Sequence, residues 1–440
     1  MIIVFALLAL AVLVTANWYL WRRLFRDTTS GPGWARRVGA VAIGGGWVLA
    51  VAALVAERSG APFWLQRVLA WPGFLWLALS IYLLFGVMAG EVVRPLLRRF
   101  LERRAGRGEP AVAAVPHPER VPAGVPAEQP QEADGAAASP PEGPREAAPG
   151  PLAPQEEPGP TTLAAAPSRR LFVSRVVAGA AAAAAVGTVG YGTYGVLRGP
   201  RVKRVTVPLA KLPRAAQGYR IAVVSDIHLS PVLGRGFAQK VVDTINSTQP
   251  DLIAVVGDLV DGSVKDLGPA AAPLAQLRAR HGSFFVTGNH EYFSGAEQWV
   301  DEVRRLGLRP LENDRTELAW FDLAGVNDIA GESEGQGPDF AKALGDRDTA
   351  RACVLLAHQP VQIHDAVDHG VDLQLSGHTH GGQLWPGNLL AEAANPTVAG
   401  LERYGDTQLY VSRGAGAWGP PTRVGAPSDI TVIELASRQA

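Results

Sequence analysis

Five times between residues 219 and 380, an apolar run closes on a cluster of Asp, Asn or His. The runs are YRIAVVSD (Tyr219–Asp226), DLIAVVGD (Asp251–Asp258), GSFFVTGN (Gly282–Asn289), ACVLLAH (Ala352–His358) and VDLQLSGH (Val371–His378). Near-continuous apolar runs of this length suit strands covered on both faces. Gly234–Asn246, Pro269–Arg280 and Gly295–Leu306 carry helical patterns between and after the first three. That alternation predicts an α/β domain, with ELAWFDLAGVND and the closing SDITVIEL adding strands of a mixed sheet.

The polar ends are Asp226 and His228, then Asp258, then Asn289 and His290, then His358, then His378 and His380. Ligands of open α/β sheets bind beyond the carboxyl edges of the strands, where loops converge over a rigid base. A lone Asp in such a place is usually a cap or turn former. Five successive strands ending this way, with five of the nine histidines among them, point instead to a metal centre. The single cysteine, Cys353, excludes a disulfide within the chain and a cysteine-built zinc site, so the donors must be oxygen and imidazole. Such donors favour manganese, iron or zinc, and their number exceeds what one ion takes. Two divalent ions sharing a carboxylate fit the count, clamping a phosphoryl group and holding a hydroxide. In GHTH the period of two is expected to turn His378 and His380 to one side, each toward a different ion.

The N-terminal part obeys a different constraint. Met1–Trp21, Val38–Ala56 and Val68–Gly90 hold no charged residue, and each is about the 20 residues a helix needs to cross a bilayer. Residues 1–102 therefore read as three transmembrane helices at about 1–21, 38–56 and 68–90. Residues 103–167, rich in Pro, Ala and Glu, read as a disordered linker. Residues 168–199 open on SRRLFVS, similar to a twin-arginine export signal, and continue into the charge-free run Val176–Leu197, a fourth anchor. Arginines crowd the first loop (Arg22, Arg23, Arg26, Arg36, Arg37) and the stretch after the third span. The positive-inside bias puts those segments in the cytoplasm and, by parity, residues 205–440 outside: a multi-pass cell-membrane protein with an extracytoplasmic domain. Lysine plus arginine and aspartate plus glutamate both total 41, so nothing suggests a nucleic-acid partner.

SDIHLS, GDLVDG, GNHEYF, LLAHQP and GHTHGGQ, in that order, resemble the calcineurin-like metallophosphoesterases, in particular a bacterial membrane-associated branch with twin-arginine signals. The likeness covers about Val205–Leu435. It implies a four-layer α/β/β/α sandwich, here preceded by the N-terminal transmembrane helices. By matching positions, it implies that Asp226, His228 and His380 bind one divalent ion. Asn289, His358 and His378 would bind the other, and Asp258 would bridge them. His290 would be the catalytic histidine that is not a permanent ligand, and Asp261 would orient a liganding histidine more readily than bind metal. The activity implied is hydrolysis of a phosphodiester or diphosphate bond by metal-held hydroxide. The membrane tether points to a lipid-linked or nucleotide-linked substrate.

Arg413 and Arg423 stand equally as contacts to a second phosphate or sugar and as surface salt-bridge formers. Trp385 and Trp418 read as structural tryptophans, with an apolar rim for a lipid chain as the other reading. Alternatives of other kinds are a phosphodiesterase acting on soluble nucleotides, a metal-containing wall-binding or sensor module without turnover, and a transporter. The transporter is disfavoured because the first three spans contain no ionisable residue. Oligomeric state is not legible.

Overall fold

A computed structural model describes residues 2–106 and 169–438. The linker expected at 103–167 lies outside them except for its first residues, which are helical. Helix α3 (Phe63–Gly106) runs past the boundary drawn from the sequence, because LLRRFLERRAG is, apart from Phe100, made of good helix formers until its closing glycine. With α1 (Ile2–Trp21), α2 (Trp34–Arg58) and α4 (Arg169–Leu197) it forms an apolar bundle. Among the described residues, α2, α3 and α4 are long and apolar enough to cross a membrane.

The rest is a sandwich of two mixed six-stranded sheets. The first contains β1 (Arg201–Leu209), β2 (Tyr219–Val224), β3 (Leu252–Val256), β4 (Ser283–Val286), β5 (Arg309–Pro310) and β12 (Asp429–Ser437), in the order β1-β12-β2-β3-β4-β5. The second contains β6 (Asp314–Glu317), β7 (Phe321–Gly325), β8 (Ala352–Leu356), β9 (Leu373–Ser376), β10 (Gly400–Tyr404) and β11 (Thr407–Val411), ordered β10-β11-β9-β8-β7-β6. Strands β2, β3 and β4 run parallel, as do β7, β8, β9 and β11. Helices α5 (Arg235–Ser247), α6 (Val264–Ala271), α7 (Asn289–Ser294) and α8 (Ala296–Arg305) come after strands of the first sheet. Helices α9 (Phe340–Leu344), α10 (Ile363–Asp368) and α11 (Gly387–Ala394) belong to the second half.

Three apolar clusters glue the layers. Phe237, Val241, Trp299 and Val303 seat α5 and α8 on the first sheet. Ile221, Val256, Phe321, Leu375 and Tyr410 fill the space between the sheets. Phe340, Leu355, Ile363 and Val411 seat α9 and α10 on the second sheet. This is the four-layer α/β/β/α arrangement. Each inner strand is apolar on both faces because each face meets another layer. One helix differs from expectation: Pro269–Arg280 is replaced by α6 and a 3-10 turn over Ala272–Gln276. Ser263 supplies the start signal, its hydroxyl capping Asp266 N at the helix N-terminus.

Candidate metal centre

The expected donors do not sit on the strands. Strands β2, β3, β8 and β9 stop two residues short of Asp226, Asp258, His358 and His378, and β4 stops three short of Asn289. The chain then turns sharply. Asp226, His228, Asp258, His378 and His380 all adopt φ between 47° and 72°, five of the eight non-glycine residues with positive φ among those described. L-residues enter this region at a cost of roughly 1–3 kcal/mol each, and such strain gathers at functional sites. The period-two rationale for His378 and His380 is therefore corrected: GHTH is a turn, and two left-handed residues splay the rings to different places.

Backbone bonds lash the loops together. Asp226 N donates to Gly257 O (3.1 Å), His228 N to Asp258 O (3.1 Å) and Gly377 N to His358 O (3.0 Å). His378 N donates to Asp226 Oδ1 (3.0 Å) and so ties the edge of one sheet to the other. Gly257 (φ 72°) cannot be replaced without strain, and a Cβ there would lie 2.5 Å from His358 Nδ1. A Cβ on Gly288 would collide with Asp258. The glycines let backbone stand where the donors crowd.

Three groups of potential donors lie within 4.8 Å inside each, one of His228, Asp261 and His290 and two that share a carboxylate: Asp226, His228, Asp258 and His380, and Asp258, His358 and His378. Asp258 belongs to both. Its Oδ2 is 3.1 Å from His358 Nε2 and 3.7 Å from His228 Nε2. Asn289 Oδ1 stands 3.0 Å from His378 Nδ1, beside the last group. The structure thus brings all seven sequence-derived candidates together. Asp226, His228, Asp258, His358 and His380 are buried, whereas Asn289 and His378 are half-buried.

Protein groups hold one ring nitrogen of His228, His290, His358 and His380. His358 Nδ1 donates to Val256 O (2.9 Å), leaving a buried Nε2 with no hydrogen-bond partner of acceptable geometry despite its nearness to Asp258. A buried, unpartnered imidazole nitrogen is costly unless a cation takes its lone pair. His228 Nδ1 and His290 Nδ1 both lie 2.7 Å from Asp261 Oδ1, so this carboxylate holds two rings at once. The grouping of His228, Asp261 and His290 is explained by those contacts.

Charges match the geometry. Burial alone would raise the Asp258 carboxyl, but His358 and His228 outweigh it and hold it well below the carboxylate range. His358 is pushed well above the usual imidazole value, its burial outweighed by Asp258 and Asp226. His378 falls to about 4 through burial and the charge of His358. His290 rises to about 9, since its hydrogen bond and charge contact with Asp261 overcome burial.

The arginine and tryptophan expectations need correction. Arg423 is 6% exposed, and its guanidinium donates to Gly416 O (2.6 Å), His380 O (3.0 Å), Ala426 O (3.2 Å) and His380 Nδ1 (3.0 Å). It is neither a surface salt bridge nor free for a substrate. An arginine only donates, so these contacts fix the position of the His380 ring. Arg413 is half-buried against Gly381 and makes no hydrogen bond or ion pair among the described residues. Trp385 (56% exposed) and Trp418 (55%) are not core residues. The Trp418 ring lies 5.6 Å from that of His290, which also faces the exposed Phe293 at 5.5 Å.

Two contributors escaped the sequence reading. Buried Glu291 accepts from Asp258 N (2.9 Å), Leu259 N (2.8 Å) and Gly288 N (2.6 Å), bracing the loop that carries Asp258. Its signal was available: in GNHE it stands at the third position of α7, where a glutamate reaches back over a helix start. Glu57, at the end of α2, interacts electrostatically with Asp261 and His290. No local pattern links it to a site more than 160 positions away.

Comparison with known proteins agrees with this geometry. A family model described as calcineurin-like phosphoesterase matches residues 219–382. A "transmembrane protein with metallophosphoesterase domain" of Danio rerio is 40% identical over 260 residues, 56% of this chain and 59% of the relative. An uncharacterized metallophosphoesterase of Helicobacter pylori is 38% identical over 247 residues, 56% of this chain and 66% of the relative. Another, of Aquifex aeolicus, is 35% identical over 243 residues, 54% of this chain and 92% of the relative. The chain thus spans about three-fifths to two-thirds of the length of the first two relatives. They come from a fish and from bacteria alike, so the likeness is not restricted to a bacterial branch.

Proposed function

The chain belongs to the calcineurin-like metallophosphoesterase family, and we propose that it is a membrane-anchored phosphoesterase cleaving a phosphodiester or diphosphate bond in a lipid-linked or nucleotide-linked substrate. The observation that carries this reading is Asp258, common to two donor groups and facing a buried His358 Nε2 that has no other partner. We assign Asp226, His228 and His380 to one divalent ion, Asn289, His358 and His378 to a second, and Asp258 to both. Oxygen and imidazole donors suit manganese, iron or zinc. When bound, such ions neutralise phosphoryl oxygens and yield a nucleophile from water at neutral pH.

The chain's own groups supply the rest. His290, charged through its contact with Asp261, offers a proton to the leaving oxygen. Arg413, unpaired beside Gly381, is available to a second phosphate. Arg423 and Asp261 act through the histidines they hold. A sensor module would have no need of the His290–Asp261 pair, which favours turnover.

Helix packing supports an extracytoplasmic domain. Phe63 at the start of α3 and Leu197 at the end of α4 pack on the catalytic core. The basic ends meet elsewhere: Arg23 pairs with Glu91, and Arg175 donates to Thr28 O. Arginine-rich ends remote from the domain suit the positive-inside rule. Twin arginines Arg169 and Arg170, ahead of an uncharged run, agree with export of residues 205–440.

Two outcomes test the reading. The full chain in detergent, stripped by chelator, should hydrolyse a chromogenic phosphodiester only after manganese, iron or zinc is restored; equal activity before and after would overturn it. Asp261→Asn should move the basic limb of the kcat profile down by roughly one to three pH units. The sign comes from His290: raised to about 9, it stays protonated through neutrality and loses its proton as pH rises through that value. Rates measured from pH 6 to 10 would register the change.

A further inference from the structure

Helix α11 begins seven residues after His380 and buries none of its own residues. Leu389 is 58% exposed and Leu390 77%, next to the exposed Trp385. At 100° per residue Leu389, Leu390, Ala393 and Ala394 share one side of the helix, whereas Asn388 and Glu392 share the other. An apolar face with no protein partner needs another cover.

The neighbouring contacts indicate which. Tyr82 Oη donates to Trp385 O (2.9 Å), the Phe85 ring lies 6.2 Å from that of Trp385, and Leu384 packs into the apolar cluster of the helix bundle. Tyr82 and Phe85 stand 14 and 17 residues beyond Val68, where the charge-free run of α3 begins. At 1.5 Å per residue that is roughly 21–26 Å along the helix. The catalytic domain therefore touches α3 within its apolar stretch as well as at its start.

We propose that Leu384–Ala394 is a re-entrant element of the catalytic domain, with the leucine face of α11 immersed in the acyl phase of the bilayer that α3 crosses. The inference rests on the membrane-anchored function proposed for this chain and deepens it: lipid reaches to within a few residues of His380, so the substrate is an amphiphile presented from the membrane. The backbone permits this placement. Trp385 N donates to Val424 O (2.9 Å), Trp385 O accepts from Tyr82, Gly387 N donates to Leu384 O (2.6 Å), Leu389 N donates to Pro386 O (3.0 Å), and Pro386 has no N–H. Non-helical backbone is tolerated at membrane depth only when its polar groups are met by protein in this way.

The test uses full-length protein in phosphatidylcholine vesicles. Cys353 is buried, so Leu390→Cys and, separately, Met88→Cys on the exposed face of α3 can each carry one environment-sensitive fluorophore. Both probes should emit as in an apolar medium and be quenched by lipids bearing a nitroxide on the acyl chain. A probe at 390 quenched by aqueous iodide, with the probe at 88 still lipid-quenched, overturns the re-entrant element alone. Aqueous quenching at both positions overturns the membrane reading beneath it. Leu389→Asn with Leu390→Asn should slow hydrolysis of a vesicle-borne phosphodiester amphiphile at least tenfold and spare a soluble chromogenic phosphodiester. Unchanged rates on both substrates, or equal losses, overturn the link to substrate.

Discussion

Asp258→Asn is expected to strip the protein of both metals and of activity, a loss of at least about 10³-fold, as judged by elemental analysis and phosphodiester hydrolysis. Asp258 alone faces both donor groups, so its loss removes a negative charge from each and leaves the second with none. Asparagine keeps the shape, and an oxygen that can still accept from His290 N, now at 2.9 Å from Oδ1. In the metal-free protein, losing the charge also removes the group that raises the affinity of buried His358 for its proton. Breaking one partner of a buried pair costs roughly 3–5 kcal/mol, so a thermal melt should accompany the metal analysis to separate lost binding from lost folding. A folded Asp258→Asn variant holding two equivalents of metal would refute the shared-carboxylate assignment.

The same pair gives metal-free protein a defined pH window. Asp258 lies below its ordinary value, so its stabilisation is present above that value and disappears as pH falls through the lowered one. His358 lies above its ordinary value, so its share is full below about 6.5 and disappears as pH rises through the raised value. Chelated protein should melt highest between those limits.

His290→Ala is expected to do the opposite of Asp258→Asn: both metals stay and turnover falls by roughly 10²–10⁴-fold, the span of a lost general acid. His290 Nδ1 is committed to Asp261, while the ring stands half-buried between Trp418 and Phe293 at the mouth of the site. A substrate with a strongly acidic leaving group needs little protonation, so the defect should shrink for nitrophenyl esters and be largest for alkyl esters. A His290→Ala protein arriving without metal would move this histidine into the ligand set. A uniform defect across leaving groups would leave it holding phosphoryl charge and not supplying a proton.

Much of the fold and of the site was legible in one dimension. Apolar runs buried on both faces need two covering layers, so the α/β domain could be inferred from pattern alone, and the uncharged helices announce themselves by lacking any polar face. Asp226, His228, Asp258, Asn289, His358, His378 and His380 could be picked out because each stands just past such a run. Their manner of convergence was not legible. GHTH looked like strand alternation, yet left-handed turns at His378 and His380 aim the two rings, and those turns exist only because loops from both sheets lock against one another. Arg423 looked like a surface cation because burial is a property of the assembled fold; only there does its guanidinium meet His380, 43 positions earlier.

Chain order by itself determined which chemistry is present: oxygen and imidazole donors, apolar strands, uncharged helices. Tertiary structure decided which donors share an ion's reach, which nitrogen of each histidine is free, and that Trp385 lies against α3 with α11 exposed beside it. The physical reason is range. Hydrophobic periodicity is written within a dozen residues, whereas coordination, hydrogen-bond direction and burial depend on contacts between segments a hundred or more positions apart, settled only when the layers pack.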